Sequence, residues 1–251
     1  MLKLSHRLAT LAQMVPVGAR IADIGTDHAF LPCYLGQERI SPFAIGVEVK
    51  KGPYQRACST VEAFDQKEKV EIRLGDGLAV INPGEVDIVI IAGMGGAAIC
   101  DILENSPQVV TLLDKLIIQP MKGAELVRYW LVKHGWLISE EEIIYEDKQY
   151  YQIIGAVQRK KLCHDSEDLV SSLDELEAVY GPILLKKRHP LLVCIVEKDI
   201  NGWQDILDEL AKSNKEEAQI RLKEFKEKHH RLKELKEWLL AANHCKDNGG
   251  V

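Results

Sequence analysis

The chain has 251 residues, 46% of them hydrophobic and 28% charged, with a formal net charge of −6 from 32 basic and 38 acidic side chains. Such a composition fills a core and excludes global disorder, collagen and a disulfide-stapled mini-protein. No apolar run approaches the roughly 20 residues that span a bilayer, the first residues lack a signal-peptide core, and a cytoplasmic location without membrane partners is expected. The six cysteines lie outside metal-clip spacing, so no metal is expected. The acidic balance does not by itself advertise nucleic acid.

Short β-branched runs closed by Gly or Pro predict strands at 20–25, 43–49, 70–75, 86–93 and 115–120. Roughly 15–25 residues separate them, room for crossover helices, which implies a parallel, doubly wound α/β sheet. A helix is predicted at 124–135. The alternating runs 136–145 and 150–157, around a turn at 146–149, predict an antiparallel pair that closes the sheet.

From about residue 159 the texture becomes helical. Leu169, Leu173, Leu176 and Val179 share one face, and Trp203, Ile206, Leu207 and Leu210 another. Phe225, Leu232, Leu235 and Leu239 form a third, on a helix running from about Lys215 to Ala242. The stripe is narrow and flanked by Lys and Glu, which suggests a helical hairpin with coiled-coil character. The apolar runs 183–185 and 191–195 fit strand or buried helix equally. His229 and His230 are expected to face solvent. The predicted domains are 1–158 and 159–251.

A doubly wound sheet binds its ligand at the carboxyl ends of its strands. The first strand ends in Asp23-Ile24-Gly25-Thr26-Asp27-His28, the second at Glu48, the third in Gly75-Asp76-Gly77. The fourth ends in Ala92-Gly93-Met94-Gly95-Gly96 and the fifth in Gln119-Pro120. Gly25 lets backbone approach a ligand. Glu48 suits a ribose diol, because a carboxylate can accept from both hydroxyls. Asp76 can accept from an adenine amine. The turn lacks the second and third glycines of a dinucleotide fingerprint and puts Asp27 where phosphate charge would arrive. A nucleoside cofactor without phosphates, such as S-adenosylmethionine, fits these acids.

The ordered stretches 4–8, 22–29, Glu48-Val49 with Gly52-Pro53, 73–78 and 91–96 resemble the bacterial tRNA adenine-N1 methyltransferase family that modifies position 22, the TrmK family. The likeness covers about the first 157 residues. It implies a Rossmann-like class I methyltransferase sheet carrying a C-terminal helical hairpin, S-adenosyl-L-methionine as cofactor and tRNA as substrate. By the same likeness, Asp23, Gly25 and Thr26 line the methionine half, with His28 reaching its carboxylate. Glu48 holds the ribose, Val49 lies beside the adenine ring, and Gly75, Asp76 and Gly77 meet its edge. Ala92, Gly93 and Met94 form the floor between methyl donor and target base. Met121 stands where the family's Gln-Pro-Asn stretch has Asn.

Adenine N1 has a lone pair and no proton, so the expected chemistry is alignment rather than base catalysis. Gly93, Met94 and Gln119 are the expected positioning residues, and Asp27 is a candidate to stabilise the cationic product ring. Two other readings stay open: a small-molecule methyltransferase, or a non-catalytic cofactor-binding module whose hairpin recruits a partner. The oligomeric state is open, with a monomer favoured.

Overall fold

A computed structural model describes residues 2–159, 172–212 and 216–243. Seven strands form one sheet: β1 (Ile21–Ile24), β2 (Ala44–Glu48), β3 (Val70–Leu74), β4 (Ile88–Gly95), β5 (Lys115–Lys122), β6 (Trp136–Glu146) and β7 (Gln149–Gln158). Their order is β3-β2-β1-β4-β5-β7-β6. The first five are parallel, and β7 runs antiparallel to both β5 and β6. The chain therefore winds outward from β1 to β3, then restarts at β4 on the other side of β1. That reversal between β1 and β4 is the crevice where such sheets take ligands.

Helices cover both faces, which is why β1 and β2 are buried along their whole length. On one face α1 (His6–Gln13), α2 (Phe30–Gln37) and α3 (Lys51–Ala63) bury Leu11, Leu35 and Val61 against Ile21, Ile88 and Ile90. On the other, α4 (Gly96–Glu104), α5 (Pro107–Val110) and α6 (Ala124–Lys133) bury Ile99, Val110 and Leu131 against Val89, Ile91 and Ile118. Ile88 and Ile90 face one layer and Val89 and Ile91 the other, as the two-residue period of a strand requires.

Two boundaries differ from expectation. β4 runs through Met94 to Gly95, because β5 is longer than predicted and offers Pro120 and Lys122 as partners. The register slips between Ala92 and Met94, so Gly93 is a bulge with φ +80°. The β6–β7 turn narrows to Asp147 and Lys148, both with positive φ, as a two-residue hairpin of the mirror-image type requires.

The chain divides into two units, Met1–Ile183 and Leu184–Val251. The predicted boundary after residue 158 adjoins the undescribed residues 160–171. In the first unit, a capping box between Asp174 and Glu177 starts α7 (Glu175–Tyr180). Leu173 therefore precedes the helix whose face it was expected to share, and Leu169 lies outside the described residues. Beneath α7, Arg128 of α6 is fully buried. Its guanidinium donates to Glu141 of β6 at 2.7 Å, to Gln152 of β7 at 2.6 Å, and to the carbonyls of Ala178 and Val179 at 2.8 and 3.1 Å.

The runs left open by periodicity are helical: α8 (Pro182–Lys186) and the start of α9 (Leu192–Ala211). Within the second unit, α9 and α10 (Glu216–Asn243) form an antiparallel hairpin. Trp203 meets Phe225 edge to face, and Lys236 reaches back to Glu197 at 2.7 Å. Among the described side chains of α10, Leu222, His229, Leu232, Leu235 and Leu239 are buried. His229 thus corrects its expected exposure: it is 6% exposed, and burial followed by Lys233 lowers its pKa. His230 stays exposed beside Glu234. Among the described residues, no helix is long and apolar enough to cross a membrane.

Candidate active site

After β1 the backbone takes positive φ at Gly25, Asp27 and Ala29. This tight turn starts α2 without a side-chain cap. The amides of Gly25 and Thr26 donate to the Val47 carbonyl, that of Asp27 to the Glu48 carboxylate, and that of Ala29 to the Thr26 carbonyl. Donors a pyrophosphate would need are therefore spent within the protein, consistent with a ligand that carries no phosphate.

Asp23 is buried at the end of β1 and accepts from the Thr26 hydroxyl at 2.7 Å. Burial pushes its pKa up to about 6; the Thr26 hydroxyl opposes the rise, Glu48 adds to it and Arg7 opposes it. Glu48, also buried, ends β2. Val49 beside it is 62% exposed, an apolar surface open to a flat ring. Asp76 is exposed at the start of a single 3-10 turn and makes no capping bond.

A cavity of about 300 Å³ opens between β1 and β4, lined by Arg7, Asp23, Gly25, Thr26, Asp27, His28, Ala92 and Gly93 among others. Seven predicted site residues thus meet in one space. Glu48, Val49, Gly75, Asp76, Gly77, Met94 and Gln119 lie outside its lining, at the ends of β2 to β5. A larger cavity of about 570 Å³ lies among Leu103, Trp130, His134, Trp136 and Gln158, at the ends of α4, α6 and β7 and the start of β6. None of the strand-end acids lines it.

The glycines separate by role. A Cβ on Gly25 would meet Met94 Cε at 2.5 Å, so the Met94 side chain lies over the β1 turn. A Cβ on Gly75 would strike Val80 at 2.1 Å, which makes Gly75 a packing requirement of its own turn. Gly77 has positive φ and faces Ile102. A Cβ on Gly93 would meet nothing within 4 Å: the bulge borders open space, the kind of cradle a ligand and a base could share.

Asp27 turns toward α3, where Arg56 donates to it at 3.0 Å, and His28 lies 3.6 Å away. Gln119 is fully buried at the end of β5. Its oxygen accepts from Arg7 at 2.8 Å, and its nitrogen faces the Met121 sulfur at 3.7 Å. Arg7, which belongs to none of the strand-end motifs, also lines the cavity. Ser5, by contrast, caps α1 by accepting from the Leu8 amide, the role expected of a serine before a helix.

A family model described as a methyltransferase domain matches residues 4–154. The tRNA (adenine(22)-N(1))-methyltransferase of Bacillus subtilis strain 168 is 35% identical over 236 residues, 93% of this chain and 97% of that protein. The crystal structure of the B. subtilis M1A22 tRNA methyltransferase TrmK superposes with a TM-score of 0.83 at 33% identity, covering 94% of this chain and all of that one. M. capricolum TrmK, solved with S-adenosyl-homocysteine, gives 0.78 at 28% identity, covering 93% and 98%. The match extends over both units, the helical hairpin included. On that similarity and on its strand-end site, the chain belongs to the tRNA (adenine(22)-N(1))-methyltransferase family.

Proposed function

We infer that this protein transfers a methyl group from S-adenosyl-L-methionine to N1 of adenine 22 in tRNA, in the cytoplasm. The observation that carries this is the cavity at the β1–β4 reversal, with Asp23 in its wall and Glu48 and Asp76 on the adjoining strand ends. The fit is chemical: buried acids and spent amides suit a cationic, phosphate-free nucleoside. Asp23 and Thr26 would hold the methionine half, Glu48 the ribose diol, and Val49 and Asp76 the adenine. When bound, the cofactor supplies an electrophilic methyl on a sulfonium. The protein's share is alignment, because adenine N1 presents its lone pair without deprotonation. The Gly93 bulge leaves room for the acceptor, and Met94 and Gln119 border it. N1 lies on the pairing edge of the base, so the target nucleotide is flipped out to reach it. We assign the cofactor site to the predicted domain 1–158 and tRNA capture to 159–251.

Glu48→Ala and Asp76→Ala should each weaken cofactor binding without unfolding the protein. A hydrogen-bonded charged acceptor is worth about 1.5–3 kcal/mol, or roughly 10- to 150-fold in affinity. Titration calorimetry checks this; unchanged affinity in both variants contradicts the assignment.

Asp23 adds a pH dependence. Its folded pKa, about 6, lies above its ordinary value of 3.8. The free protein therefore holds this stability below pH 4 and loses it as pH rises through 6, at up to about 1.4 kcal/mol per unit. A cationic ligand favours the ionised carboxylate, so affinity for S-adenosylmethionine should rise from pH 5 to 7 and then level off. Asp23→Asn should flatten that profile. An unaltered profile in the variant places the titration elsewhere.

A further inference from the structure

We propose that the cavity at the far ends of α4 and α6 is a second ligand site, for a flat nitrogen heterocycle that carries N–H donors on its edge. At about 570 Å³ it has the volume of a small-molecule site. It stands apart from the β1–β4 crevice. Val157, next to the Gln158 of its wall, pairs with Lys115 at the first position of β5, so the cavity lies at the opposite edge of the sheet from the strand ends. The helices α4 and α6 begin beside the β4 bulge and the end of β5, and Glu104 and Trp130, near their far ends, line this cavity.

The walls select the shape of the ligand. Leu103, Pro107, Val110 and Trp136 give an apolar lining. Trp130 and His134 stack with ring centroids 4.2 Å apart and planes 21° from parallel. Trp130 Nε1 donates to Glu104 Oε2 at 2.7 Å, and His134 Nε2 lies 3.2 Å from the same oxygen. His134 Nδ1 faces the Trp130 carbonyl at 2.8 Å. The polar edges of both rings are thus engaged within the protein. Such walls suit a planar ring, which packs on them by offset stacking or edge to face.

The groups left open are acceptors. Gln158 is 5% exposed. Its Nε2 donates to the Val110 carbonyl at 2.7 Å, which fixes the orientation of the amide, and its buried Oε1 has no partner among the described residues. A buried acceptor left unpaired is costly, and a ligand N–H relieves that cost. Glu104 takes both ring nitrogens through Oε2 and keeps Oε1 for a further donor. Glu104 and Arg159 balance in charge, so the lining does not draw a phosphate. A neutral heterocycle with N–H donors satisfies these groups, whereas a nucleotide or a carboxylate does not.

The probes are benzimidazole, which has an N–H donor, and 1-methylbenzimidazole, which keeps the ring and has none. Each is titrated into the full chain while the indole N–H groups of its four tryptophans are followed by two-dimensional NMR. Benzimidazole should move the signals of Trp130 and Trp136 and leave those of Trp203 and Trp238 in place. It should bind at least about fivefold more tightly than the methylated ring, the worth of one hydrogen bond. Gln158→Leu, which keeps the side-chain bulk and removes the acceptor, should erase that preference. Should this variant melt below the assay temperature, Thr111→Trp, at the exposed rim, serves instead: by filling the mouth it should abolish binding of both rings. A wild type that binds neither ring, or both equally, overturns the proposal. So does binding that moves Trp203 or Trp238 instead, a preference that survives in folded Gln158→Leu, or undiminished binding in Thr111→Trp.

Discussion

Gly93→Ala is expected to give folded protein that keeps most of its cofactor affinity and transfers methyl on the order of a hundredfold more slowly. Gly93 sits at φ +80° in the β4 bulge, where an L side chain costs about 1–2 kcal/mol. A Cβ there touches no protein atom, so the cost is wholly in the dihedral. The backbone relieves it by rotating, which shifts Ala92 and Met94, and Met94 lies over the β1 turn at Gly25. A 1 Å misplacement at reacting atoms can cost about a hundredfold in rate. Gly96 is the contrasting case. Its Cβ would lie 2.1 Å from the Gly123 carbonyl oxygen, so Gly96→Ala should disrupt the packing of α4 on the β5–α6 turn and impair folding. Single-turnover methylation at saturating cofactor, set beside thermal melting of the same samples, separates the two. A Gly93→Ala protein that melts early yet turns over normally would make the bulge a purely structural device.

Arg128→Met should destabilise the first unit by about 3–5 kcal/mol, the largest single loss expected outside the site. The change removes the guanidinium that donates to Glu141, 3% exposed, and strips the Ala178 and Val179 carbonyls of a donor. Glu141 keeps the Ile183 amide, which donates to it at 2.9 Å. At about 2–4 °C per kcal/mol for a unit of this size, the melting temperature should fall by roughly 10 °C. Arg128→Met with Glu141→Leu should recover part of the loss, because the buried carboxylate is then gone. A fall of less than about 1 kcal/mol in the single variant would mean that water reaches Glu141. The same network bears on dissection of the chain. A cut near Lys161 removes carbonyls that Arg128 binds, so a cofactor-binding fragment should extend through Ile183.

Most of the sheet was legible because its strands are short, β-branched and stopped by glycine, and because only a parallel arrangement accommodates helices between them. The cavity was legible in part: Asp23, Gly25, Thr26, Asp27, His28, Ala92 and Gly93 line it, since strand ends converge at the reversal, whereas Glu48, Asp76 and Gln119 lie outside its lining. Arg7 was not legible. Its partner Gln119 is 112 residues away, and no local pattern encodes that distance. Arg128 left a trace that went unread, a charge beside Val127 and Leu131 on the buried face of α6. His229 left a clearer one. Leu222, His229, Leu232 and Leu239 are seven, three and seven residues apart, a seam spacing that puts the imidazole inside whatever its polarity. The strand-four boundary failed for a different reason. Glycines after an apolar run read as a loop, whereas the longer β5 keeps them paired through a bulge.

The most direct test of the account is to incubate the purified protein with S-adenosylmethionine and unmodified tRNA, then digest the RNA and map the methylated nucleoside by mass spectrometry. The account predicts 1-methyladenosine at position 22, none in tRNA carrying guanosine there, and none with Gly93→Ala at matched single-turnover times. Methylation at another atom or position, or methyl transfer only to a small molecule, would contradict it.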